Sequence, residues 1–97
     1  MTHNHNLLCQ TRPLYNEPYH VVRPLLPIRM QHGADMIEWA EQTFGPAGKR
    51  VKGIVGQTVK IEEPGLRYYV DPTAFWFRHS QDRDSFVAHW TRELNHE

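Results

Sequence analysis

The chain has 97 residues, of which 39% are hydrophobic and 23% charged, and eleven basic and eleven acidic residues leave a formal net charge of zero. This length and composition predict one small globular domain and exclude a low-complexity chain, while neutrality counts against a dedicated nucleic-acid binder. A single cysteine, Cys9, excludes an intramolecular disulfide, and with no membrane-length apolar run or secretion signal the expected location is the cytoplasm.

Residues 1–18 are predicted to form an extended N-terminal arm, ahead of a single α+β domain that spans residues 19–97. The arm shows no sustained hydrophobic period, and two interpretations of it stay open. It is either a tail that lies on the surface or is disordered, or a segment that becomes ordered on a partner. In the second case the contacts come from its apolar residues, which are Leu7, Leu8, Leu14 and Tyr15.

Residues 19–23 have β propensity and are the first predicted strand. Pro24 and Pro27 are expected to break the chain after it. Asp35 with Glu38 three residues later matches a capping box, so the first helix is expected to begin there. Four residues at helical spacing then predict its buried face, and these are Met36, Ile37, Ala40 and Phe44.

Gly45-Pro46 is a typical helix stop. The chain then predicts short strands within 49–61, 66–70 and 74–78, with turns at 63–65 and 71–73. The last helix is expected to begin near Ser80, with a buried stripe that comprises Phe86, Val87, Trp90 and Leu94.

The predicted order is β-α-β-β-β-α. The economical packing for such a chain is a small antiparallel sheet with two helices on one face. This arrangement is of the ferredoxin-like or split βαβ type.

An aromatic cluster near the end of the sheet supplies the main candidate binding surface. Side chains alternate along a strand, so Phe75 and Phe77 are predicted to face the helices, with Trp76 on the opposite face. An exposed tryptophan among tyrosines and arginines is typical of a protein interface. The predicted protein-binding residues here are Trp76, Tyr68, Tyr69, Arg67 and Arg78. The alternative is that this layer is core, or that the arm covers it.

The helices offer a second candidate surface, because each carries acidic residues that are expected to point outward. Glu38 and Glu41 lie on the first helix, and Asp82 and Asp84 on the last. Such faces could contact a protein partner, or imitate nucleic acid toward a basic groove.

Basic residues on the sheet allow a third hypothesis, in which the chain binds RNA or single-stranded DNA with a strong dependence on salt. The residues concerned are Lys49, Arg50, Lys52, Lys60, Arg67 and Arg78. The alternative for them is ordinary solvated charge.

Metal binding and catalysis are not predicted. His3 and His5 lie near Cys9, and His20 could join them, but the spacing matches no usual zinc pattern. His79 and His89 lie near acidic residues, yet no nucleophile with an orienting partner accompanies them. We therefore expect no cofactor and no enzymatic activity.

The strand at 75–78, followed by Asp82, Asp84, Phe86 and Trp90, resembles the strand-then-helix ending of small tailed-bacteriophage proteins. The helix end at 39–45 is similar to their first helix. The resemblance covers roughly residues 34–91 and includes no catalytic residue.

What the resemblance implies is a phage accessory protein that binds and modulates or inhibits a host or defence protein. The alternatives are a virion component that docks through its N-terminal arm, and a small RNA or single-stranded DNA-binding module. For the first of these, Trp76→Ala is expected to abolish partner binding while the fold persists. The identity of the partner and the oligomeric state stay open.

Overall fold

A computed structural model of the chain describes residues 6–14, 17–48, 50–51, 60–61 and 67–95. Its elements in chain order are β1 (Leu7–Leu14), β2 (Glu17–Pro24), α1 (Leu26–Phe44), β3 (Arg50–Val51), β4 (Lys60–Ile61), β5 (Tyr68–Val70), β6 (Phe75–Phe77) and α2 (Ser80–Asn95). Four strands form an antiparallel sheet in the order β1-β2-β6-β5, and β3 pairs with β4. The predicted α+β class is confirmed; the turn expected at 63–65 lies outside the described residues.

Strand β1 occupies much of the segment that was predicted to be an extended arm. It pairs antiparallel with β2 along its whole length, from Leu7 opposite Pro24 to Leu14 opposite Glu17. An edge strand needs few buried side chains, because main-chain hydrogen bonds to its neighbour hold it. The segment therefore lacks the apolar alternation by which a more central strand would be recognised.

Helix α1 begins nine residues earlier than the capping box predicted. Leu25 is extended, with φ −62° and ψ 153°, and its carbonyl accepts a hydrogen bond from Arg29 N at 2.8 Å. Pro27 lies in the first turn of the helix, where its missing N–H removes no helical hydrogen bond. Asp35 is therefore an exposed residue in the middle of α1, and the predicted cap is wrong.

The predicted end of α1 is confirmed. Gly45 has a positive φ of 91°, a conformation that costs glycine little, and its N–H donates to Glu41 O at 3.0 Å. The predicted start of the last helix at Ser80 is confirmed as well.

Both helices pack on one face of the sheet, as predicted. The core residues of the sheet on this face include Leu7, Val22, Tyr68, Phe75 and Phe77, and those of the helices include Met36, Ala40, Phe44, Phe86 and Trp90. Phe86 lies between the two strand phenylalanines, with ring centroids 4.7 Å from Phe75 and 5.4 Å from Phe77. Ile37, which was predicted to be buried, is exposed instead.

The connectivity of the main sheet differs from the predicted order. Each central strand, β2 and β6, leads into a helix, and each outer strand precedes its central neighbour in the chain. The sheet is therefore built from two β-β-α halves whose central strands pair with each other. The ferredoxin-like description is not confirmed. In the described parts of the chain, neither helix is long and apolar enough to cross a membrane.

Candidate functional site

Trp76 lies on the sheet face opposite the helices, as predicted, between Val21 on β2 and Tyr69 on β5. Its ring stacks on Tyr69 with centroids 5.3 Å apart and an interplanar angle of 15°. Its indole Nε1 donates to Asp71 Oδ2 at 2.6 Å. Val21 and Tyr69 are fully buried, and Trp76 itself is half-buried. Trp76 is thus held by contacts to its neighbours while partly accessible, and its role in binding stays a prediction.

Asp71 organises the turn between β5 and β6. Its Oδ1 accepts hydrogen bonds from Thr73 N at 2.6 Å, Thr73 Oγ1 at 2.9 Å and Ala74 N at 2.7 Å. Burial acts to raise the pKa of Asp71, but these bonds and the one from Trp76 outweigh it, so the pKa lies below its usual value. The Asp-Pro-Thr sequence signals such a turn. Nothing in the sequence signals the bond to Trp76.

Tyr68 belongs to the core, which corrects its assignment to the binding surface. It follows the alternation of the strand onto the helix face, where its hydroxyl donates to Gly45 O at 2.9 Å. Burial raises its pKa to about 12, with the carboxylate of Glu41 adding to the effect. The strand thus places Tyr68 and Tyr69 on opposite faces, and both are buried.

The two predicted binding arginines are both engaged with carboxylates. Arg67 donates from Nε to Asp82 Oδ2 at 3.0 Å and from Nη2 to Asp82 Oδ1 at 2.6 Å. Its guanidinium also lies over the ring of Phe44, 4.9 Å from the centroid. Arg78 Nη2 lies 3.4 Å from Glu17 Oε1. These contacts tie neighbouring elements together within the domain.

The four predicted acidic contact residues divide into two groups. Asp82 is only 5% exposed and is held by Arg67, so its assignment to an outward surface is wrong. Asp82 lies early in α2, but its partner Arg67 directly precedes β5 and is invisible in the local pattern. Glu38, Glu41 and Asp84 are exposed, and Asp84 pairs with Arg83 at 2.9 Å.

One flank of α1, beside its buried residues, carries an exposed apolar line that the sequence analysis missed. Leu26, Met30 and Ile37 are 56%, 79% and 38% exposed. They recur with Gly33 at intervals of four, three and four residues, so all four lie on one side of the helix. We call these four residues the α1 stripe. An earlier helix start, with Pro27 in the first turn, is the signal that would have revealed it.

Trp39 and His89 join the outer edges of the two helices. Their rings stack with centroids 4.3 Å apart and an interplanar angle of 14°. His89 Nε2 also lies 4.0 Å from Glu93 Oε1, one helical turn further along. The geometry is that of a packing contact between helices, and His79 lies elsewhere, exposed just before α2.

Cys9 and the described histidines do not form a reactive centre. Burial raises the pKa of the Cys9 thiol, which is the opposite of what a nucleophile needs. Among the described residues, no three His, Cys, Asp or Glu side chains lie close enough to hold a metal ion. His3 and His5 lie outside the described residues.

Comparison of the chain with protein-family models, curated proteins and solved structures gives no match.

Proposed function

We propose that this chain is a non-enzymatic protein-binding domain, and that an exposed flank of α1 is its contact surface. The observation that carries the proposal is the α1 stripe. Its three large side chains are exposed, while Met36, Ala40 and Phe44 of the same helix pack into one core with residues of the sheet and α2. A contiguous apolar line on the surface of a well-packed domain is the usual mark of a protein interface.

The charge beside the α1 stripe favours a partner that places positive charge there, from basic residues or from a helix N-terminus. Glu38 and Glu41 are exposed next to Ile37, and both belong to the acidic surface that the sequence predicted. Charges around an apolar centre contribute mainly to the rate and specificity of association. The proposed surface therefore combines an apolar centre with the part of the acidic prediction that stays exposed.

The resemblance to tailed-bacteriophage proteins supports a more specific version of this proposal. In that version the chain is a phage accessory protein that binds and modulates or inhibits a host or defence protein in the host cytoplasm. The ferredoxin-like interpretation of the fold is not needed for it, because the contact surface depends only on α1.

A virion component that docks through its N-terminal segment is the second candidate function. The observation that favours it is β1, an edge strand on which Leu8 is 44% exposed. An edge strand can accept a further strand from a partner. Since deleting residues 2–18 would also remove β1 from the sheet, substitution of Leu8 is the cleaner test.

The nucleic-acid hypothesis draws less support from the described residues. Arg67 and Arg78 are engaged with carboxylates, and the side chains of the other predicted basic residues lie outside the described part of the chain. A fluorescence titration with single-stranded RNA and DNA at two salt concentrations tests it. Salt-dependent binding would support it, and its absence would remove it.

The experiment that tests the main proposal is affinity capture from nuclease-treated bacterial lysate, with three versions of the tagged chain. The wild type is compared with Met30→Glu in the α1 stripe and with Leu8→Glu on β1 as the matched control. Both substitutions place a carboxylate at an exposed apolar position, so the fold is expected to persist.

Loss of a stoichiometric protein partner with Met30→Glu, but not with Leu8→Glu, is the expected result. The reverse pattern would support docking through the N-terminal segment. Partners that disappear with nuclease would contradict a protein-binding function.

A further inference from the structure

We propose that the partner at the α1 stripe is a second copy of this chain. The two copies of α1 pack antiparallel about a twofold axis that passes between Gly33 and Ala34. This inference rests on the proposed function, because it uses the same surface and names the protein that occupies it. A twofold interface must be complementary to itself, and three properties of α1 meet that requirement.

The first property is the spacing of the large residues. Met30 and Ile37 lie at equal distances on either side of the point between Gly33 and Ala34, about 5 Å along the axis for a rise of 1.5 Å per residue. In an antiparallel pair centred there, Met30 of one copy lies level with Ile37 of the other. Both contacts of the pair are therefore apolar, and the exposed Met30 gains a partner.

The second property is the small size of the residues at the centre. Gly33 lies inside a 19-residue helix, where glycine is less stable than alanine. Its own chain does not require glycine, since an added Cβ would meet Arg29 Cγ at 3.6 Å, an ordinary contact distance. In the antiparallel pair, Gly33 lies level with Ala34 of the second helix. Two such small residues allow the backbones to approach closely, which explains a glycine at this position.

The third property is the charge distribution along α1, which is unfavourable within one helix. Asp35, Glu38 and Glu41 lie in the C-terminal half, the first turn contains no acidic residue, and the last turn contains no basic one. Acidic residues are favourable near the N-terminus of a helix and unfavourable near its C-terminus. In the antiparallel pair, Glu41 of one copy lies level with Leu26 at the N-terminus of the other. The arrangement thus offsets an imbalance that each helix carries alone.

Sedimentation equilibrium on the full chain tests this inference with two complementary variants. Met30→Glu alone and Ile37→Lys alone each set a charge against an apolar residue twice per dimer. We expect each to weaken self-association by at least about tenfold, as loss of a central interface contact does. Leu8→Glu is the control and is expected to associate like the wild type. Circular dichroism checks that each variant is folded.

A mixture of the two variants tests the antiparallel register. Only in that arrangement does Glu at position 30 of one chain lie level with Lys at position 37 of the other, while Ile37 and Met30 still meet at the second contact. The mixture is therefore expected to associate more tightly than either variant alone. If the mixture associates no more tightly than the single variants, the antiparallel register is wrong. If the wild type stays monomeric at all concentrations, the chain does not form the dimer.

The lysate capture separates these outcomes from failure of the proposed function. A monomeric wild type that captures a different protein through Met30 would refute the second-copy inference and leave the protein-binding proposal standing. A monomeric wild type whose captured partners do not depend on Met30 would refute both.

Discussion

Asp82 and Asp84 lie two residues apart in α2 and look alike in the sequence, but their surroundings differ. Asp82 is enclosed and accepts two hydrogen bonds from Arg67, whereas Asp84 is exposed and pairs with the neighbouring Arg83. Hydrogen bonds to a charged group contribute more when the group is enclosed than when water competes for it. The two residues therefore make a matched pair for measurement.

Asp82→Asn is expected to lower the free energy of unfolding by about 1.5 kcal/mol, since it keeps the shape of the side chain but removes its charge from the bidentate pair with Arg67. Asp84→Asn is expected to change it by less than about 0.5 kcal/mol. Urea denaturation followed by circular dichroism measures both. Equal effects would show that the enclosure of Asp82 does not matter for stability.

Asp71 is expected to make stability depend on pH in the acid range. Its pKa is lowered in the folded state, so its ionised form stabilises the fold above its unfolded pKa of about 3.9. That contribution is lost as the pH falls through the lower, folded pKa. The difference in stability between the wild type and Asp71→Asn should therefore be full near pH 6 and shrink progressively as the pH falls below about 5. A difference that is constant across this range would contradict the assignment.

Trp76 is a further residue whose role follows from its contacts. Because it stacks on Tyr69 and donates to Asp71, Trp76→Ala is expected to destabilise the domain by about 2 kcal/mol, less than for a fully buried tryptophan. Trp76→Phe keeps an aromatic ring in place and loses the hydrogen bond, so about 1 kcal/mol is expected. Urea unfolding followed by circular dichroism decides. Loss of binding by Trp76→Ala at unchanged stability would instead support the contact role first predicted for it.

At the scale of single elements, α1 shows how a local pattern can mislead. Asp35 and Glu38 have the spacing of a capping box, but the helix begins at Leu26 and continues through both. The sequence pattern could not show the earlier start, because Pro27 is equally compatible with a break before a helix and with a place in its first turn. A helix that started at Asp35 would exclude three of the four residues of the α1 stripe, so the stripe was not predicted.

Asp35→Ala separates the two positions of the helix start. Replacing the N-cap residue of a helix by alanine lowers the free energy of unfolding by about 1 kcal/mol. Asp35 in the middle of α1 is instead expected to gain about 0.5 kcal/mol, because alanine has the higher helix propensity. Thermal and urea unfolding of this variant give the sign. A clear loss of stability would place the helix start at Asp35 after all.

The strands were predicted to different degrees for an identifiable reason. Strands β5 and β6 are rich in aromatic residues, and the alternation of Phe75, Trp76 and Phe77 correctly gave the face of each. Strand β1 has no such alternation, since it lies at the edge and depends on main-chain pairing with β2. Long-range partners, such as Arg67 for Asp82, were equally beyond a local pattern.

At the scale of the whole molecule, the predicted helix layer on one face of an antiparallel sheet is confirmed. The order of strands was not predicted, because the pairing of β2 with β6 joins residues more than fifty positions apart. This arrangement fixes which surfaces remain for a partner. The sheet face around Trp76 is buried at Val21 and Tyr69, whereas the large residues of the α1 stripe are exposed. The proposed contact surface therefore lies on the helix and not on the sheet.

The central claim is that a protein partner covers the α1 stripe, and methyl NMR with ¹³C-labelled methionine tests it most directly. Of the three methionines in the chain, Met30 and Met36 lie in α1. Met30 belongs to the α1 stripe and is 79% exposed, whereas Met36 is fully buried and serves as an internal control. Spectra are recorded across protein concentration and with any captured partner added. The account predicts that the Met30 methyl signal shifts while that of Met36 stays nearly unchanged. A Met30 signal that does not move under any of these conditions would contradict it.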